Sequence, residues 1–186
     1  MNYRIKLLFL SILLVICGCW GAIVIHPVGL DKQETINQDS IIKENLSAIG
    51  NFSEKLSVNL INIQIDKSNH TYLETMGTYF QVNYNEFTGY FIDGLSKELT
   101  KRGAVVSADS PNKIHIKLSD FRMSYKTTIG RIYFLIHVSS EDKKWEKTYN
   151  GSGTRNAGGS ILLSSVVYQN IRTLLEDSEF LKQLKI

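Results

Sequence analysis

The chain has 186 residues, 43% of them hydrophobic and 21% charged, with 21 basic and 18 acidic side chains. Setting Arg4 and Lys6 aside leaves 19 basic against 18 acidic residues, so charge excludes a basic nucleic-acid-binding domain and the partner set contains no nucleic acid. Both cysteines, Cys17 and Cys19, stand near the front, which excludes disulfides from the rest and leaves packing around a single core to stabilise it.

Arg4 and Lys6 precede residues 7–25, which carry no charge. Cations are retained on the cytoplasmic side of a membrane while an apolar helix enters it, so the chain beyond residue 25 is delivered to the far face. The pattern is that of a secretory signal, and Ile16-Cys17-Gly18-Cys19 suggests the bacterial lipoprotein version. A lipoprotein signal peptidase takes an apolar residue three before the cysteine and a small one directly before it, and Ile16 and Gly18 supply these for Cys19. Cys17 fits poorly because bulky Ile16 stands directly before it. Cys19 is therefore the expected acylated first residue, with Trp20 after it directing transport to the outer membrane. The alternative is a retained inner-membrane anchor, since residues 7–25 come close to the ~20 that a spanning helix needs.

Three segments are expected: a signal at 1–18, a polar tether at 19–55 and a folded domain at 56–186. Within the tether, residues 31–39 hold one apolar side chain, and a short helix is expected over 40–48. Residues 56–65 alternate with a phase change, which predicts a strand bulged near Leu60. A turn at 66–70 then leads to a strand marked by Met76, Thr78, Phe80, Val82 and Tyr84, the two forming a hairpin.

Asn85 is the expected cap of a helix carrying Phe87, Phe91, Ile92, Leu95 and Leu99 and ending at Lys101-Arg102-Gly103. Gly89 and Gly94 inside it each cost about 1 kcal/mol against Ala and point to close packing on a neighbour. Ile114, Ile116 and Leu118 alternate, and past Ser119-Asp120 the phase slips to Phe121, Met123 and Tyr125, a second bulge signature. Ile132, Phe134, Ile136 and Val138 mark the next strand, and Trp145, Lys147 and Tyr149 a third, so an antiparallel meander is expected. Residues 150–159, with four glycines, read as a loop opening a helix on Leu163, Val166, Val167, Ile171, Leu174 and Leu175. Ser178 is the expected cap of a last short helix. Together these predict an α+β two-layer sandwich, a mainly antiparallel sheet with two amphipathic helices on one face.

Candidate chemistry is sparse. Residues 153–160 have P-loop spacing, but Gly159 stands where the phosphate-binding lysine belongs, so a β-to-α connection is the better reading. Arg155 within it remains a candidate contact for an anion or a partner. His115 and His137 fall at polar positions of strands that could be neighbours, yet no third ligand matches and zinc sites need about three, so no metal or cofactor is expected. Asp93, Glu98, Glu176 and Asp177 read as solvated charges. Tyr125, Tyr133, Trp145 and Tyr149 give the meander an aromatic character, and Tyr133, Trp145 and Tyr149 join Arg155 as candidate partner-binding residues. Four Asn-X-Ser/Thr triplets, at Asn45, Asn51, Asn69 and Asn150, carry little, since about two arise by chance at this composition.

From about residue 87 to 184 the chain resembles the YajG-like bacterial lipoproteins. The resemblance rests on a helix ending Leu99-Thr-Lys-Arg-Gly103, a strand Lys113-Ile-His-Ile-Lys-Leu118, a second strand at 132–138, then Trp145-Glu-Lys-Thr-Tyr149 and a Gly-rich run into a helix and Glu179-Phe-Leu181. It implies an acylated cysteine, matching Cys19, and an α+β domain in the periplasm, and it supplies no catalytic residues. The auxiliary lipoproteins of ABC-type envelope transporters look similar. The expected function is a non-enzymatic binding, assembly or accessory role in the cell envelope, held to the outer membrane by acyl chains on Cys19 beside an envelope protein partner. The alternatives are a single-pass subunit of an envelope transport or secretion complex and a periplasmic hydrolase.

Overall fold

The structure is a computed structural model describing residues 22–24, 46, 49–75, 78–126, 129–155 and 159–185. The signal at 1–18 and Cys19 lie outside the described residues. Among the described residues the named elements follow in the order β1 (Ala22–Val24), β2 (Ser57–Asn62), β3 (Asn69–Thr75), β4 (Thr78–Asn83), α1 (Tyr84–Lys101), β5 (Val105–Val106), β6 (Lys113–Lys126), β7 (Ile129–Ser140), β8 (Glu146–Arg155), α2 (Gly159–Glu176) and α3 (Ser178–Gln183).

The fold is α+β. A five-stranded sheet in the order β5-β2-β6-β7-β8 carries the helices on one face, and β1-β4-β3 form a smaller sheet. The meander β6-β7-β8 is antiparallel as expected, whereas β2 runs parallel to both β5 and β6. Parallel neighbours need a long crossover, and β3, β4 and α1 supply it between β2 and β5. The expected hairpin between β2 and β4 is therefore absent: β4 pairs with β3, which begins in the segment read as a turn, and with β1. No register shift interrupts β2 against β6. Its apolar phase change arises because Ile61, opposite His115, lies half-buried on the face away from the helices.

The core is set by helical spacing. Phe87, Phe91, Leu95 and Leu99 of α1 are fully buried, and Phe87 meets Phe121 and Phe134 edge-on at 5.7 and 5.1 Å. Val166, Val167, Ile171, Leu174 and Leu175 bury the inner stripe of α2. The two helices touch where a Cβ on Gly94 would stand 2.9 Å from Ile171 Cδ1, so Gly94 is there for close approach, while Gly89 has open space. Asn83, rather than Asn85, caps α1, its side chain accepting from the Asn85 and Glu86 amides. Gly103 ends the helix region with φ at 93°, a conformation glycine takes without strain. Asp177 takes the place expected of Ser178 as the cap of α3.

Described parts of the segment read as a tether are structured, while the helix expected over 40–48 lies outside the described residues except for Leu46. Ala22–Val24 pairs in parallel with β4. Leu46 is buried in the core, and its carbonyl accepts from Nη2 of Arg102, a buried side chain at the end of α1 that also ion-pairs with Glu98. Glu98 is thus not a solvated charge, because the Arg102 guanidinium that it neutralises is withdrawn from water.

Candidate functional site

The site is built by a bulge. The register of β6 shifts between Leu118 and Asp120, where the sequence predicts it, so that Leu118 opposes Ile136 and Asp120 opposes Leu135. The extra residue keeps Phe121 and Met123 in the core beyond the bulge, and it moves even-numbered side chains to the open face. Lys113, His115 and Lys117 face outward before it; Asp120, Arg122 and Ser124 do so after it.

The strand ladders then lay two rows across the open face. Arg122 opposes Tyr133, which opposes Ser152; Ser124 opposes Arg131, which opposes Thr154. These six residues contribute to the lining of an open groove of about 640 Å³. Arg122 pairs with Asp120 at 2.8 Å, and its guanidinium carbon lies 5.7 Å from the centre of the Tyr133 ring. The Arg122 side chain is 75% exposed, so solvent screening holds the pair to about 1 kcal/mol or less. Arg131 has no ion-pair partner among the described residues. The groove thus offers two guanidinium groups, three hydroxyls and an aromatic ring, an arrangement that can bind an oxyanion and stack a ring against it.

His115 and His137 do sit on adjacent strands of that same open face, His137 opposite Lys117 and His115 opposite Ser139. His137 lies 3.4 Å from the Thr148 hydroxyl and 3.7 Å from Glu146. Among the described residues no three His, Cys, Asp or Glu side chains converge as metal ligands.

The aromatic candidates divide between the two faces. Tyr133 lies on the open one. Tyr149 is buried on the helix-bearing face and donates to Asp177 Oδ2 at 2.6 Å, while half-buried Trp145 packs 6.2 Å from the Phe180 ring under α3. Burial raises the Tyr149 pKa, and its hydrogen bond to Asp177 adds to this. Lys147 Nζ lies 2.8 Å from the same carboxylate oxygen, and the hydrogen bond to Asp177 raises the lysine pKa. Partial burial pushes the Asp177 carboxyl up, but hydrogen bonds from Lys147, Tyr149 and the Glu179 amide outweigh it and hold the group down at about 2. Asp177 therefore ties β8 to α3 instead of standing in solvent. Asp93 and Glu176 are exposed, Glu176 pairing with Arg172.

The glycine-rich run is mostly strand. Residues 150–155 continue β8, with Gly151 opposite Phe134 and Gly153 opposite Ile132, and no phosphate cradle can form while the ladder holds these groups. A Cβ at Gly151 would stand 2.3 Å from the Phe134 ring, which explains the glycine by packing. The Arg155 backbone closes β8 opposite Gly130; its side chain, like that of Tyr125, lies outside the described ones. Sequence reasoning passed over Arg122 and Arg131. The slip at Ser119-Asp120 was the signal that puts Arg122 on the open face; Arg131 and Tyr133 join it through strand pairing.

No family model matches the chain, and no curated protein matches it. A solved structure described as "Crystal structure of uncharacterized protein" aligns over 68% of this chain and 90% of its own, at 10% identity and a TM-score of 0.38, too low to carry an argument.

Proposed function

We propose that the chain is a bacterial envelope lipoprotein, akin to the YajG-like proteins, acylated on Cys19 and acting as a binding or assembly module rather than as an enzyme. The observation that carries this is Ile16-Cys17-Gly18-Cys19 inside an uncharged run led by Arg4 and Lys6. The strand at Ala22–Val24 supports cleavage over a retained span. With those residues extended, residues 7–21 amount to roughly 22 Å of helix at 1.5 Å per residue, against a hydrocarbon core about 30 Å thick. Acyl chains on Cys19 then leave only Trp20 and Gly21 before β1, so the small sheet is held close to the bilayer instead of on a long tether. Trp20 favours the outer membrane as the destination, with the open sheet face turned to a periplasmic partner. Growth with labelled palmitate tests the anchor: wild type is labelled and Cys19→Ala is not. Equal labelling of the two, or a mature mass that retains residues 1–18, overturns the proposal.

A further inference from the structure

We infer that the groove at the end of the open sheet face binds a phosphate group between the guanidinium groups of Arg122 and Arg131. The inference deepens the binding half of the proposed function and is independent of what happens at Cys19. Arg122 opposes Tyr133, and Arg131 stands two residues before Tyr133 on the same strand, so the arginines occupy diagonal positions. Diagonal neighbours on a ladder are about 7–8 Å apart at the backbone, within reach of one shared ligand for side chains of this length. Among the described side chains the groove is lined by two cations, and the carboxylate beside them is that of Asp120, paired with Arg122. An anion seated between the guanidinium groups turns their mutual repulsion into two attractions.

The chemistry favours phosphate over carboxylate. A guanidinium presents a planar fork, and one fork satisfies both oxygens of a carboxylate. Two forks approaching from a diagonal match a tetrahedral group with three terminal oxygens, and the hydroxyls of Ser124, Ser152 and Thr154 surround the same space. Tyr133, between the arginines in the grid, supplies a flat apolar surface for the sugar or glycerol that carries the phosphate. At about 640 Å³ the groove is larger than inorganic phosphate requires and falls in the range of small-molecule sites. A sugar phosphate and the phosphomonoester headgroup of phosphatidic acid share this chemistry.

Calorimetric titration of the full chain in a neutral detergent decides between them, with glucose 6-phosphate and dihexanoylphosphatidic acid as probes and glucose and triglutamate as controls. At least one phosphate probe is expected to bind, with Kd raised about tenfold in Arg131→Gln and in Arg122→Gln, and less in Arg131→Lys, which keeps the charge but loses the fork. Lys117→Gln, on the same face outside the groove, is expected to leave Kd unchanged. Comparing variants cancels partition of the lipid into the micelle, and unchanged melting temperatures exclude misfolding. Tighter binding of glucose 6-phosphate assigns the site to sugar phosphates, and tighter binding of the lipid assigns it to headgroups. Absence of binding by either probe, equal Kd in wild type and both glutamine variants, or triglutamate binding as tightly as the better probe overturns the inference.

Discussion

The hydroxyl of Thr88, on the buried side of α1, accepts the amide of Leu118 at 3.0 Å at the point where β6 bulges, and in turn donates to the Tyr84 carbonyl at 2.8 Å. A bulge takes a backbone group out of its ladder, and a buried group without a partner is costly. One threonine therefore lets the strand change phase inside the core, and the phase change is what brings Arg122 to the open face. Thr88→Val, which keeps the shape and removes the acceptor, is expected to cost about 1–3 kcal/mol in urea unfolding, whereas Thr88→Ser costs less. Hydrogen exchange at the Leu118 amide is expected to accelerate in the valine variant; unchanged exchange would contradict the role.

Two glycines predict opposite outcomes for the same substitution. Gly151→Ala drives a methyl group into the Phe134 ring and is expected to destabilise by about 1–3 kcal/mol, with part recovered by Phe134→Leu. Gly89→Ala has open space on a helix and is expected to stabilise by up to about 1 kcal/mol. Thermal melts of the three variants check both signs.

Gly94 and Ile171 are expected to be coupled. Gly94→Ala gains helix propensity but presses on the end of a flexible side chain, so its net effect is expected to stay within about 1 kcal/mol. Gly94→Leu exceeds what Ile171 can yield and is expected to cost about 1–3 kcal/mol. A double-mutant cycle with Ile171→Ala is expected to give a favourable coupling of at least about 0.5 kcal/mol; strict additivity would show that the helices do not meet there.

Asn170 is 2% exposed on α2, and its side-chain amide has no hydrogen-bond partner among the described residues. Burying an unsatisfied amide is unfavourable, so Asn170→Leu is expected to raise stability by about 1–2 kcal/mol. A fall in the urea midpoint would show that a partner satisfies the amide in the folded protein.

Asp177 makes folding acid-sensitive. Its folded pKa, about 2, lies below its ordinary value of 3.8, so the carboxylate adds stability above that value and the contribution is lost as pH falls towards 2. Screening by solvent around exposed Lys147 reduces the contribution to roughly 1 kcal/mol. Melting temperatures of wild type and Asp177→Asn are expected to differ most at pH 5–7 and to converge near pH 2. The difference isolates Asp177 from Asp66 and Asp142, exposed carboxyls held near the same value by local hydrogen bonds.

Much of the architecture is legible in the chain because it follows from local periodicity. Phe87 to Leu99 at helical spacing, the cations and Gly103 that close α1, the alternation of Ile114 to Leu118 and the slip after it each need only neighbours in sequence. The same holds for the candidate anchor, since Ile16, Gly18 and Cys19 are contiguous. Strand partners are different. Whether β2 lies against β4 or between β5 and β6 depends on which long-range contacts bury the most apolar surface, and alternation is the same in either case. The caps moved for a similar reason: Asn83 and Asn85 are both competent, and tertiary structure decided between them by drawing the Asn85 side chain away, its Nδ2 donating to the Gln64 carbonyl. The groove belongs wholly to tertiary structure, because Arg122, Arg131 and Ser152 share a surface only once three strands are in register, and register is set by the packing of Phe121, Phe134 and Gly151 on the opposite face.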